Sequence, residues 1–181
     1  MSVSDGYPSP LLVGLGLELR AWTDADLAAM VALFDNPQFA RWTPLASPFD
    51  MDAARAYLDK SRRERASGRL LQFAVTTDGR TPLGEVLYVR RTDEPVSTVE
   101  IAYGIGPEHQ GQGLASRAVR LLTGHVQEVL APERVVLRIA PDNLPSQGVA
   151  RSAGFRLTDD APVLRPRREG PDIELMTWVH P

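Results

Sequence analysis

The run Glu100-Ile-Ala-Tyr-Gly-Ile-Gly-Pro-Glu-His-Gln-Gly-Gln-Gly-Leu-Ala115 ends a strand pattern in a glycine-rich turn and leads at once into a helical run from Ser116 to Leu130. A strand feeding a helix through such a turn gathers unpaired backbone N–H groups and the positive end of the helix at one point, which is a cradle for an anion. No lysine lies in the turn, so the backbone itself must hold whatever binds there. The same run constrains the fold. With the apolar stretch Arg134 to Ile139 downstream it forms a strand–helix–strand unit, which places a parallel pair inside the sheet.

Of two familiar phosphate turns, the first does not fit and the second, a dinucleotide-binding turn, stays open as the weaker reading. A P-loop needs Gly-Lys-Ser/Thr, and here Gly113 is followed by Leu114-Ala115. A dinucleotide fingerprint needs a third glycine where this chain has Ser116, and it opens a first β-α-β unit rather than lying late in the chain. A bare glycine pair would be no more than a turn. Here Gln110, Gly111, Gln112 and Gly113 keep the turn small or polar, and Ala115 and Ser116 keep the first helical turn narrow. Arg117 and Arg120, one turn apart near the positive helix end, suggest either a compensating anion or a solvated face.

The chain has 181 residues, 43% apolar and 24% charged, with a formal charge of −3. That suits one soluble domain and gives no broadly basic surface for nucleic acid. The absence of cysteine excludes disulfides and thiolate chemistry and accords with a cytoplasmic setting. No apolar run approaches the ~20 residues of a membrane helix. No His/Asp/Glu grouping has metal-ligand spacing, so no metal is expected. His109 beside the turn reads as a surface residue.

Residues 1–15 read as a flexible tail and 16–181 as a single domain. Seven strands are expected: Leu17–Trp22, Leu70–Thr76, Leu83–Arg90, Thr98–Ile105, Arg134–Ile139, Phe155–Thr158 and Ile173–Val179. About four helices accompany them. The first starts at Thr23-Asp-Ala-Asp and is ended by Pro37. An irregular aromatic stretch, Phe39 to Phe49, follows. The second helix is capped by Asp50 or Asp52 and runs to about Ser67. The third is the helix after the glycine turn, and the fourth runs from Asn143 to Ala153 with Gly154 as its C-cap. The order implies an α+β (mixed α/β) architecture, a mixed and mostly antiparallel sheet with helices on its faces.

Gln110-x-x-Gly113-x-Ala115 resembles the Q/R-x-x-G-x-G/A signature of the GNAT acetyltransferase superfamily. Asn143-Leu-Pro-Ser146-Gln-Gly-Val149-Ala-Arg-Ser-Ala-Gly154-Phe155 is similar to that family's N-x-x-S-x-x-V-x-x-x-x-G-F segment. Leu17-Glu-Leu-Arg, the Asp24-Asp26 helix start and the closing strand resemble the ribosomal-protein alanine acetyltransferase (RimJ/RimL-like) branch. The resemblance covers residues 16 to 180. It implies fourth and fifth strands splayed around CoA and an N-acetyltransferase that moves an acetyl group from acetyl-CoA to a primary amine. It allows a homodimer. The loop Gln110, Gly111, Gln112, Gly113, Leu114 and Ala115 would hold the pyrophosphate, Ile105 and Gly106 would run beside pantetheine, and Asn143 and Ser146 would contact CoA. Trp42 and Phe49 would wall the amine pocket, with core filling beneath the long loop as the alternative for these aromatics, and the loop Arg165-Pro-Arg167-Arg168 would border it.

Acyl transfer to an amine needs a proton acceptor, because a free alkyl ammonium has a pKa of ~10.4. Glu100, between Val99 and Ile101 on the strand entering the turn, is the first candidate, with a surface or ion-paired glutamate as the alternative. Many relatives carry a tyrosine donor four residues before the Gly-Phe pair. That position is Ala150 here, so Ser146 is the candidate acid, and a non-catalytic acyl-CoA sensor or scaffold is the alternative function.

Overall fold

The computed structural model describes residues 9–167 and 170–181. Residues 1–8 of the expected tail, and Arg168 of the arginine loop, lie outside the described residues. The remainder forms one layer of strands with helices on both faces. The strands are β1 (Leu12–Gly14), β2 (Leu17–Arg20), β3 (Leu70–Thr76), β4 (Gly84–Arg91), β5 (Thr98–Ile105), β6 (Arg134–Ile139), β7 (Arg156–Leu157), β8 (Val163–Arg165) and β9 (Ile173–His180). They lie in the order β1-β2-β3-β4-β5-β6-β9-β7, with β8 added to β9. Every pairing is antiparallel except β5 with β6.

This is the mixed, mostly antiparallel sheet that the sequence implies, with nine strands among the described residues rather than seven. The first addition, β1, falls inside the stretch expected to be a tail. Leu15 and Gly16, with φ of 54° and 71°, turn the chain back so that Leu12 pairs with Leu19. The second, β8, forms when the proline- and arginine-rich loop folds onto β9, pairing Val163 with Leu175.

The helices are α1 (Leu27–Phe34), α2 (Pro37–Trp42), α3 (Met51–Ala66), α4 (Leu114–Leu130) and α5 (Leu144–Ser152). The fifth helix, α2, lies in the stretch read as irregular. Pro37 does not merely end α1; it is the first residue of α2, where its missing N–H costs nothing. Asn36 supplies the cap. Its Oδ1 accepts from the amides of Gln38 and Phe39, both at 3.1 Å, and its Nδ2 donates to the Leu33 carbonyl. Asn36→Ala is expected to destabilise the fold by about 1 kcal/mol, read as a lower denaturant midpoint with an unchanged slope.

The two faces of the sheet differ. Leu71, Phe73, Val75, Val86, Tyr88, Val99 and Ile101 point toward α4 and α5 and make the larger core with Val119, Leu122, Val126 and Phe155. On the other face, α1, α2 and α3 and the segments joining them to the sheet build a second core from Trp22, Met30, Phe34, Phe39, Phe49 and Leu58. That face also carries buried polar side chains across the middle of the sheet, Gln72, Glu85 and Glu100. Polar groups survive burial there only if they find partners, and those partners define the site.

Candidate active site

The strands β5 and β6 begin as a parallel pair and then part. Their ladder holds only at Thr98 with Arg134, Val99 with Val135, and Glu100 with Val136, although β5 continues to Ile105 and β6 to Ile139. The resulting fork opens toward the glycine turn. Tyr103 reaches across it, its hydroxyl donating to the Ser146 carbonyl at 3.2 Å. The splay expected around CoA is present in the backbone.

At the open end lies a cleft of about 390 Å³ lined by Phe39, Trp42, Tyr103 to Ile105, Gln110, Gly111, Gly113 to Ser116, Asn143 and Ser146. Gly111 and Gly113 have φ of 75° and 69°, the left-handed region that side chains disfavour. Gly113 is the N-cap of α4, and the first amides of that helix have no carbonyl one turn earlier to bond. Arg117 does not act as a free anion ligand. Its guanidinium donates to the carbonyls of Gly113, Gln112 and Leu15, so it braces the turn and ties it to the β1–β2 hairpin. Gln110 braces the other side, its Nε2 donating at 3.0 Å to both the Ile105 carbonyl and Gln38 Oε1. The Asn143 side chain caps α5 through the Ser146 amide at 3.3 Å, which fixes Ser146 at the cleft wall. Ala150, four residues before the Gly154-Phe155 pair, is fully buried in the core. The tyrosine at this site is Tyr103 instead, whose phenol burial pushes up to about 12.

A second cavity, about 420 Å³, lies on the α1–α3 side of the fork. It shares Phe39, Trp42, Thr43, Tyr103, Gly104 and Ser146 with the first and is also lined by Tyr57, Glu85, Glu100 and Arg165. Donor and acceptor could thus meet at one junction from opposite sides. Trp42 lines both cavities, with the Arg41 guanidinium 4.4 Å from its ring centroid. Phe49 lines neither. It is 1% exposed, edge-on to Phe34 and Tyr57 at centroid distances of 5.5 and 6.0 Å, so the aromatic expected in the pocket wall fills the core beneath it.

Both oxygens of Glu100 are engaged by guanidinium groups, Oε1 with Arg165 at 3.1 Å and Oε2 with Arg91 at 3.5 Å. The ion-paired alternative for this residue is therefore the geometry found. Glu85 was not singled out from the sequence. It is buried, one oxygen accepts from the Tyr57 hydroxyl at 2.5 Å, and the other accepts from the Gln72 side-chain amide. Desolvation pushes its carboxyl up to about 7, against the opposing effect of the Tyr57 and Gln72 hydrogen bonds. The Trp22 indole N–H lies near the same carboxyl and lowers it a little further, without reaching hydrogen-bond geometry. Burial and the Glu85 charge hold the Tyr57 phenol well above its ordinary range. Among the described residues no group of three His, Asp or Glu could hold a metal, and no helix is long and apolar enough to cross a membrane.

Comparison with known proteins agrees with this fold. Residues 16–156 match the model of the Acetyltransferase (GNAT) domain. An uncharacterized N-acetyltransferase, p20 of Bacillus licheniformis, is 22% identical over 140 residues, 77% of this chain and 79% of that protein. A Vibrio cholerae structure provisionally described as a ribosomal-protein-serine acetyltransferase superposes with a TM-score of 0.81 at 21% identity, covering 97% of this chain and 99% of that one. RimJ of Mycobacterium smegmatis, solved in complex with CoA-disulfide, gives 0.74 at 22% identity, covering 90% and 81%.

Proposed function

The chain belongs to the GNAT acetyltransferase family, and from that premise we propose that it moves an acetyl group from acetyl-CoA to a primary amine, on a peptide N-terminus or a small molecule, by direct transfer. The observation that carries the reading is the fork between β5 and β6, with an amide-rich glycine turn at its open end and a separate cavity on the far side of the same junction. The residues present fit the donor, which supplies the activated thioester. The amides of Gly111 to Ala115 would take the pyrophosphate, whose charge the positive end of α4 favours. The backbone of Ile105 and Gly106 would flank the pantetheine arm, with Asn143 and Ser146 forming the opposite wall. The CoA-disulfide complex of the mycobacterial RimJ supports the same choice of ligand.

On the acceptor side, Trp42 and the Glu100–Arg165 pair would frame the amine. An ion pair that joins β5 to β8 acts as a strut for the rim, and removing one partner leaves the other charge unpaired. Glu100→Gln is therefore expected to raise the amine KM several-fold while keeping most of kcat, as measured by steady-state kinetics at saturating acetyl-CoA. A loss of kcat beyond ~100-fold at unchanged KM would instead make Glu100 the proton acceptor.

The overall reading is tested by thiol release from acetyl-CoA against peptide N-termini, polyamines and aminoglycosides. Ala150, where relatives carry a tyrosine, favours a second reading, a sensor that binds acetyl-CoA without turnover. The same assay separates the two.

A further inference from the structure

We infer that Glu85, held by Tyr57 and Gln72, is the group that takes the proton from the acceptor ammonium. The inference rests on the acetyl-transfer reading above and deepens it by naming the proton acceptor.

Position along the fork distinguishes the two carboxylates of the acceptor cavity. Glu100 stands at the closed end, where β5 still pairs with β6. Glu85 pairs across β4 and β5 with Gly104, four residues further along β5 and so about 13 Å toward the open end. Gly104 lines both cavities, so Glu85 stands level with the junction where donor and acceptor meet. Gly104 also leaves that position without a side chain of its own. A Cβ there would lie 2.5 Å from the Phe39 ring.

The partners differ as well. A carboxylate between two guanidiniums must give up an ion pair to bind a proton. Glu85 has only neutral donors, the Tyr57 hydroxyl and the Gln72 amide, and can gain a proton without leaving an unpaired charge. The groups facing it are Tyr57 on α3, Gln72 on β3 and Trp22 after β2. The charged groups lining the same cavity are Lys60 and Glu64 on α3, Arg69 before β3, Arg91 on β4, Glu100 on β5, Arg138 on β6 and Arg165 on β8. Arg69 pairs with Glu64, Arg91 with Asp93 and Glu100, Arg138 with Glu94, and Arg165 with Glu100.

The step balances. The ammonium passes one proton, directly or through a water, to the Glu85 carboxylate. The freed nitrogen lone pair forms the N–C bond, and the C–S bond of the thioester breaks with its electron pair going to sulfur. The second nitrogen proton goes to the thiolate. The products are an amide, the free thiol and a protonated Glu85, which returns its proton to solvent.

The sign of the pH dependence follows from the carboxylate being the active form. kcat/KM should rise with pH through about 7, where the Glu85 carboxyl titrates. Glu85→Gln should lower kcat by about 100-fold or more, with a smaller change in the amine KM, and should remove this limb. Tyr57→Phe deletes a hydrogen bond that favours the carboxylate, so the limb should move to higher pH with the fold intact. Carbon-13 NMR of glutamate-labelled protein gives a readout independent of turnover. One carboxyl should titrate near 7, be missing in Glu85→Gln and move upward in Tyr57→Phe. Turnover with an unmoved limb in Tyr57→Phe, or with kcat retained in Glu85→Gln, would overturn the role of Glu85 alone. No turnover by the wild-type protein with any amine, at any pH, would overturn the acetyl-transfer reading and this role with it.

Discussion

Gly113→Val is expected to weaken acetyl-CoA binding by about 100-fold while lowering the stability of the fold only modestly. Gly113 has a φ of 69°, and nothing lies within 4 Å of a Cβ built there. The cost is therefore conformational rather than a collision. A left-handed non-glycine residue costs about 1–2 kcal/mol, and a β-branched one is an outlier in that region. The chain can relieve the strain by rotating the peptides on either side, which turns the amides away from the anion. Losing one or two charge-assisted hydrogen bonds at about 1.5–3 kcal/mol each gives the 100-fold figure. Gly68 supplies the control. It has a φ of 71° at the far end of α3 and similarly open surroundings, so Gly68→Val carries the same strain away from the turn. Calorimetric titration with acetyl-CoA should show Gly68→Val binding like the wild type. Equal affinities in the two variants would contradict the backbone cradle.

Phe34→Ala carries the largest expected loss of stability, about 3–5 kcal/mol. Phe34 is 2% exposed and stands among three rings, with centroids 5.9 Å from Trp22, 4.8 Å from Phe39 and 5.5 Å from Phe49. Truncation leaves a cavity that these rings close only by moving. Against a total stability of about 5–15 kcal/mol, the loss should be plain in a denaturant titration. It should also show in kinetics, because Phe39 and Trp42 on α2 line both cavities. The amine KM should rise more than the acetyl-CoA dissociation constant, since α4, whose start supplies the amides of the turn, packs on the opposite face of the sheet. A stability loss below ~1 kcal/mol would mean that this layer is not the packed support described here.

The proposed donor half of the site is legible in the sequence because its signals are local. The glycine turn runs directly into the start of α4, and the Asn143 cap bonds an amide only three residues on. The acceptor half depends on contacts between distant segments. Tyr57, Gln72 and Glu85 come from α3, β3 and β4, and no local pattern announces that they meet. A fainter signal exists in β4, where Glu85 is in phase with Leu87 and Val89, so a carboxylate shares a strand face with apolar neighbours. Phe49 shows the opposite case. An aromatic in an irregular stretch suits a pocket wall or a core equally well in the sequence, and packing against Phe34 and Tyr57 draws this one into the core. The missed helix α2 has the same origin as its cap. Pro37 ends one helix and starts the next, and only Asn36, bonded on both sides, distinguishes the two roles.

The central claim is that the fork brings a thioester and an amine together for direct transfer. A single-turnover reaction with acetyl-labelled CoA and an accepted amine tests it most directly, following labelled amide and free thiol by mass spectrometry. The account predicts that both appear at the same rate and in equal amounts. Label that stays on bound acetyl-CoA with every amine offered, or that leaves only as acetate, would contradict it.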